Sequence, residues 1–193
     1  MSTHPSEIVL VRHGETEWSR AGRHTGRTDV PLAEQGRREA IAVGTALQER
    51  QFALVLTSPL QRAAETCRLA GLGAAAIERD ELREWDYGEY EGLTTIEIRE
   101  EHAGWTLWRE GVPGGETLDE VGERADRLIG DLHSVEGDVL LFAHGHLLRV
   151  LAARWLGLKP AAGRLFALDP GTISVLGHEH ETAVLRSWNW KPS

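Results

Sequence analysis

Two arginines and two histidines in this chain stand just beyond short apolar runs. Arg12-His13-Gly14 follows the run at 8–11, Ser58 follows 53–57 with Arg62 four residues on, and His144-Gly145-His146 follows 139–142 and Ala143. Guanidinium groups are planar, permanently charged forks that match phosphate oxygens, and a neutral imidazole nitrogen can attack phosphorus in line. A second imidazole, if protonated, adds a donor to the equatorial oxygens, and a protonated carboxyl would give the leaving oxygen its proton. Phosphoryl transfer asks mainly for positioning and electrostatic stabilisation, so this donor set demands no metal and no cofactor. Any one of these residues alone reads as a surface ion pair or a loop histidine. Their coincidence at three strand ends is what points to phosphoryl chemistry.

The rest of the chain has to bring those ends together. Strand-like runs recur at 8–11, 53–57, 75–77, 139–142, 172–176 and 183–185, with helical periodicity between them at 33–48, 117–133 and 147–156. Ser58-Pro59 reads as the start of a further helix, with Ser as N-cap and Pro at its first position. Alternating strands and helices predict an α/β fold, three layers with helices on both faces of a mostly parallel sheet. In such a sheet ligands bind beyond the carboxyl ends of the strands, where the arginines and histidines lie. The last two runs are separated by His178-Glu179-His180-Glu181, a spacing that suits a hairpin and an antiparallel edge. Residues 81–115 lack a clear period and hold Trp85, Tyr87, Tyr90, Trp105 and Trp108; they are expected to form a lid-like insert within a single domain spanning 1–193.

The 193 residues carry 21 basic and 30 acidic side chains, a net charge of −9, which disfavours nucleic acid and anionic membrane as partners. An anionic ligand therefore needs a locally basic site, and Arg20, Arg23, His24 and Arg27 directly after the first motif are candidates. No apolar stretch approaches the ~20 residues of a spanning helix, and residues 1–7 lack the pattern of a signal peptide, so a cytoplasmic location is expected. The lone Cys67 has no internal disulfide partner and reads as a packing residue in a helix. His144-Gly145-His146 and His178-Glu179-His180 are fragments of metal-site patterns without the spaced partners a zinc site needs.

Several short motifs in order resemble the histidine phosphatase superfamily, which includes the cofactor-dependent phosphoglycerate mutases. They are Arg12-His13-Gly14-Glu15-Thr16 with Trp18, Thr25-Gly26 followed by Asp29-Val30-Pro31-Leu32 and Gly36, and Ser58-Pro59-Leu60-Gln61-Arg62-Ala63 with Thr66. Leu82-Arg83-Glu84 with Gly88, Gly114-Gly115-Glu116-Thr117 and His144-Gly145 complete the set. The resemblance implies that His13 becomes a phosphohistidine, with Arg12, Arg62 and His144 around the phosphoryl group. It also implies that Glu84 protonates the leaving group and then activates water; the residues alone leave Glu84, Asp86, Glu89 and Glu91 as alternatives. Ser19, Thr25, Gly26, Arg23, Gly145 and His146 are the expected substrate-binding residues. Ser19 stands where many relatives carry Asn, a shorter donor in the phosphate pocket.

Mutases of that family are longer and carry paired arginines in the insert after the acid. Here 96–111 holds Arg99 and Arg109, well separated, among four glutamates. The stretches 16–26 and 82–92 resemble bacterial acid phosphatases of the family and fungal sedoheptulose-1,7-bisphosphatase. The expected activity is hydrolysis of a small phosphorylated metabolite, a sugar phosphate or bisphosphate. A phosphoglycerate mutase and a non-catalytic phosphate-binding protein are the alternatives, and the apolar residues of the insert are compatible with a homodimer.

Overall fold

A computed structural model describes residues 6–193. Six strands form one sheet: β1 (Glu7–Arg12), β2 (Leu54–Thr57), β3 (Ala76–Glu78), β4 (Val139–Ala143), β5 (Ile173–Glu179) and β6 (Thr182–Trp190), in the order β3-β2-β4-β1-β5-β6. The first four are mutually parallel, β5 runs antiparallel to β1, and β6 pairs antiparallel with β5 at the edge. Strand β4 and the interior of β1, residues 8–11, are apolar and buried because both faces of the sheet are covered, as a parallel sheet requires. Their register, Arg12 opposite Ala143, sets the first motif beside the last.

Helix α1 (Glu17–Arg20) follows the first motif, and α2 (Glu34–Leu47) and α3 (Gln61–Leu69) pack together. Val43 and Leu47 of α2 and Cys67 of α3 share a core with Val9, Val11, Leu140 and Phe142 on one face of the sheet. Within the insert lie two short helices, α4 (Thr95–Glu101) and α5 (Leu107–Glu110), which its weak periodicity did not announce. Helices α6 (Leu118–Leu132) and α7 (Gly145–Trp155) cover the other face through Val121, Ala125, Leu128, Leu148 and Leu151. Among the described residues no helix is long and apolar enough to cross a membrane.

Two boundaries differ from the sequence reading. Helix α3 begins at Gln61 with Leu60 as N-cap, so Pro59 is not its first residue. The Ser58 hydroxyl accepts from Leu60 N at 3.3 Å and, more closely, from His144 Nε2 at 2.8 Å, so the strand end rather than the helix claims it. The final hairpin turns at His180-Glu181, with His178 and Glu179 paired in β5 opposite Ala183 and Thr182.

Candidate active site

The turn after β1 is fixed mostly through its backbone. His13 N donates to Ala143 O at 3.0 Å, Gly171 N donates to Arg12 O and His13 O, and Gly14 N donates to Thr66 Oγ1 at 3.1 Å. A side chain on Gly14 would lie 2.2 Å from Gly36 O, so the turn rests directly on the start of α2. The His13 ring is buried and its Nδ1 lies 2.8 Å from Gly14 O. A carbonyl only accepts, so Nδ1 carries the proton and Nε2 keeps its lone pair. Burial, then the Arg62 and Arg12 charges, hold the His13 pKa well below the usual 6.5, leaving the ring neutral at pH 7.

His144, the N-cap residue of α7, is wholly buried with its ring centre 5.2 Å from that of His13. Arg62 Nε donates to its Nδ1 at 3.2 Å, which leaves Nε2–H to donate to Ser58 Oγ at 2.8 Å. The imidazole is thus neutral, and burial above all, then the Arg62 and Arg12 charges, pushes its pKa well down. A protonated second imidazole is not what the fold builds here; burial and the neighbouring guanidiniums disfavour the charge.

Arg62 also donates to the carbonyls of Thr28, Thr25 and Gly26, each at 3.0 Å. From the other side Glu91 accepts from Gly26 N at 2.8 Å and Thr28 N at 3.1 Å, so the 25–28 loop is gripped through both halves of its peptide groups. Arg12 donates to Leu168 O and passes over the start of α7, where a Cβ on Gly145 would come within 3.2 Å of its guanidinium carbon.

Glu84 lies across from this cluster, 5% exposed. Its Oε1 accepts from Leu147 N and Trp85 N, both at 2.9 Å, and its Oε2 from His146 N at 3.0 Å, placing the carboxylate on the N-terminus of α7. Arg124, buried on α6, donates to the carbonyls of Glu81 and Arg83 and pairs with Glu116 at 2.9 Å, fixing the segment that carries Glu84. Asp86, its open alternative in the sequence, instead pairs with Arg27 at 3.2 Å.

A cavity of ≈ 390 Å³ opens onto these groups. Arg12, His13, Ser19, Arg23, Thr25, Glu84, Gly145 and His146 line it; Arg62, His144 and Gly26 stand behind the lining. The Ser19 hydroxyl is engaged in a capping box with Thr16, donating to its carbonyl at 3.0 Å. His146 Nδ1 meets the Tyr87 hydroxyl at 2.6 Å. Four arginines reach the cavity, Arg12, Arg23, Arg99 and Arg149, and among the described residues none of the four is paired with a carboxylate. Of the basic cluster expected to steer anions, Arg20 is tied to Glu15 and Glu17 and Arg27 to Asp86, leaving Arg23 and His24 on the cavity wall. The far wall is aromatic, with Trp105, Trp108 and His24, and Arg149 lies 4.7 Å over the Trp108 ring.

Sequence reasoning passed over Tyr87, Arg149, Ser58 as the His144 partner, and Arg124. Only the last left a signal: a charged residue three after Val121, on the apolar stripe of α6.

The chain belongs to the histidine phosphatase superfamily. Residues 8–191 match the family described as histidine phosphatase superfamily (branch 1). An acid phosphatase of Mycobacterium tuberculosis is 41% identical over 93% of this chain and 90% of its own length. Sedoheptulose 1,7-bisphosphatase of Saccharomyces cerevisiae is 37% identical over 78% of this chain and 67% of that protein. A solved structure of a Mycobacterium tuberculosis open reading frame product superimposes with a TM-score of 0.89 at 40% identity, covering 96% of this chain and 97% of the other. Its architecture is the three-layer fold with a mixed, mostly parallel sheet.

Proposed function

We propose that the chain hydrolyses small phosphomonoesters through a phosphohistidine at His13. The observation that carries this reading is the His13 ring itself: Nδ1–H is committed to Gly14 O, so Nε2 holds an unprotonated lone pair beside Arg12 on the cavity wall. Arg12 and Arg62 supply positive charge to the phosphoryl oxygens as Nε2 attacks phosphorus and the ester oxygen leaves. His144 contributes as a neutral group that holds the Arg62 fork. Glu84, in protonated form, gives the leaving oxygen its proton; as carboxylate it then takes one from the water that attacks the phosphohistidine, returning phosphate and free His13.

The cavity size and its arginines favour a compact substrate with an anionic group besides the scissile phosphate, such as a sugar bisphosphate, with Arg23, Arg99 and Arg149 facing that group and residues 81–115 forming its wall. Ser19, Thr25, Gly145 and His146 complete the contact surface. The chemistry is expected to proceed without a resident cofactor, in a single domain.

A panel of sugar phosphates, sugar bisphosphates and phosphoglycerates, assayed for phosphate release and for isomerisation with His13→Ala as control, tests this reading. Phosphate release from bisphosphates, with acid-labile label on His13, is the expected result. Isomerisation of phosphoglycerate outrunning hydrolysis would make the chain a mutase, and no phosphohistidine with any substrate would make it a binding protein.

A further inference from the structure

The turn that carries His13 is held by one charged side chain that no step of the reaction uses. Glu39 of α2 is 8% exposed, and its Oε2 accepts from Glu15 N at 2.8 Å, two residues past the nucleophile. Its Oε1 accepts from Gln35 Nε2 at 3.3 Å and from Lys191 Nζ at 2.7 Å. Lys191 is the residue after β6, whose Trp190 pairs with Ile173 at the start of β5. That register delivers the ammonium to the loop before β5, where Nζ also donates to Pro170 O at 2.7 Å. The next residue, Gly171, gives its N–H to Arg12 O and His13 O, and a Cβ there would sit 2.6 Å from that of Glu39.

The same ammonium therefore touches both supports of the nucleophile turn: Glu39, which holds Glu15 from one side, and the 170–171 peptide, which holds Arg12 and His13 from the other. Among the described residues Lys191 is the only cation paired with Glu39. A carboxylate this buried is costly without a partner, and losing that partner turns it toward water and off the Glu15 amide. We propose that Lys191 is a positioning residue for His13, acting through Glu39: the C-terminal segment sets the aim of the nucleophile at the opposite end of the chain. The proposal rests on His13 being the nucleophile, and it concerns distance and orientation rather than contact with substrate.

The test is a cycle of Lys191→Met, Glu39→Gln and the double variant, with Lys191→Arg as the conservative control, in the full-length chain. Turnover of an aryl phosphate is measured alongside hydrogen exchange of the Glu15 amide by NMR. Glu39→Gln keeps an oxygen for Glu15 N but removes the charge that recruits Lys191. Lys191→Met is expected to lower kcat about tenfold with KM within about twofold, since an ångström of misalignment costs up to about a hundredfold. Glu15 exchange should quicken about fivefold, the worth of one weakened hydrogen bond. Lys191→Arg should restore most of both, and in the Glu39→Gln background Lys191→Met should add only the smaller loss that comes through Pro170 O. An unchanged kcat and exchange rate in Lys191→Met would overturn the proposal, as would an equal loss in both backgrounds. Were the wild-type chain to release no phosphate, the hydrolase reading would fall, and Glu15 exchange would still decide whether Lys191 holds the turn.

Discussion

The two walls of the cavity are built by opposite means. At the strand ends His13, Arg62 and His144 are buried and their hydrogen-bonding atoms are spoken for: one His13 nitrogen by Gly14, both His144 nitrogens by Arg62 and Ser58, the Arg62 fork by three carbonyls. Across the gap, Arg23 and Arg99 are exposed, and among the described residues each side chain makes a single hydrogen bond, to Gly92 O and Trp105 O. On the proposed function, the first wall is the fixed geometry for a phosphoryl group common to every substrate, and the second leaves reach for the part that varies. Fixed donors cost no reorganisation as charge moves, which is what catalysis asks; the looser wall is free to set preference.

The sharpest way to break this contrast is at the strand ends. His13→Ala should lower kcat by about 10³-fold or more, measured as phosphate release, with no acid-labile label remaining. Glu84→Gln keeps the shape and loses the exchangeable proton, so kcat for an alkyl phosphate should fall about 10²-fold to 10⁴-fold. An aryl phosphate, whose leaving group needs less help, should lose much less; equal losses would deny Glu84 the acid role. On the other wall the effect moves to binding. Arg23→Ser and Arg149→Met should each raise KM for a sugar bisphosphate about tenfold while leaving that for an aryl phosphate nearly unchanged. If kcat for the aryl substrate fell as well, the two walls would not be separable.

The sequence made the strand ends legible because each candidate residue there follows a run of β-branched and apolar residues, and the sheet rule says where ligands sit relative to such runs. Arg12, His13, Arg62 and His144 were singled out that way, and the fold brings them together. Glu84 was not, since its position depends on three amides of Trp85, His146 and Leu147, and the last two belong to an element some sixty residues away. The same limit hid Arg149 and Tyr87, whose meaning comes from packing against Trp108 and His146. The basic cluster at 20–27 was misjudged in part because carboxylates claim two of its members, Glu15 and Glu17 holding Arg20 locally and Asp86, distant in sequence, holding Arg27.

Stability rather than turnover is expected to respond to pH. His13 and His144 are buried and His146 is half-buried at the cavity, and all three pKa values are held well below 6.5, so in the folded chain the rings stay neutral where the unfolded chain takes up protons. Proton uptake thus favours unfolding: stability is full above about pH 6.5 and is lost as pH falls from there toward the folded values, by up to about 1.4 kcal/mol per pH unit for each ring. Melting temperature measured from pH 7.5 down to 5 should fall, and flattening in a His146→Phe variant would assign that ring its share. Hydrolysis should by contrast persist into the same range, because His13 keeps its lone pair there; an acid limb of kcat/KM near 6.5 would place its pKa at the ordinary value instead.

Cys67 lies on α3, the helix that also carries Arg62 and Thr66, and its thiol is fully covered and pushed up to about 12 by burial. As the only cysteine in the chain, it is a silent reporter. A disulfide reagent can reach it only when α3 lifts from the sheet, so the rate of thiol modification times the opening of the segment that holds the Arg62 guanidinium behind the cavity. Slower labelling in the presence of inorganic phosphate or vanadate would register occupancy of the site without any turnover being observed.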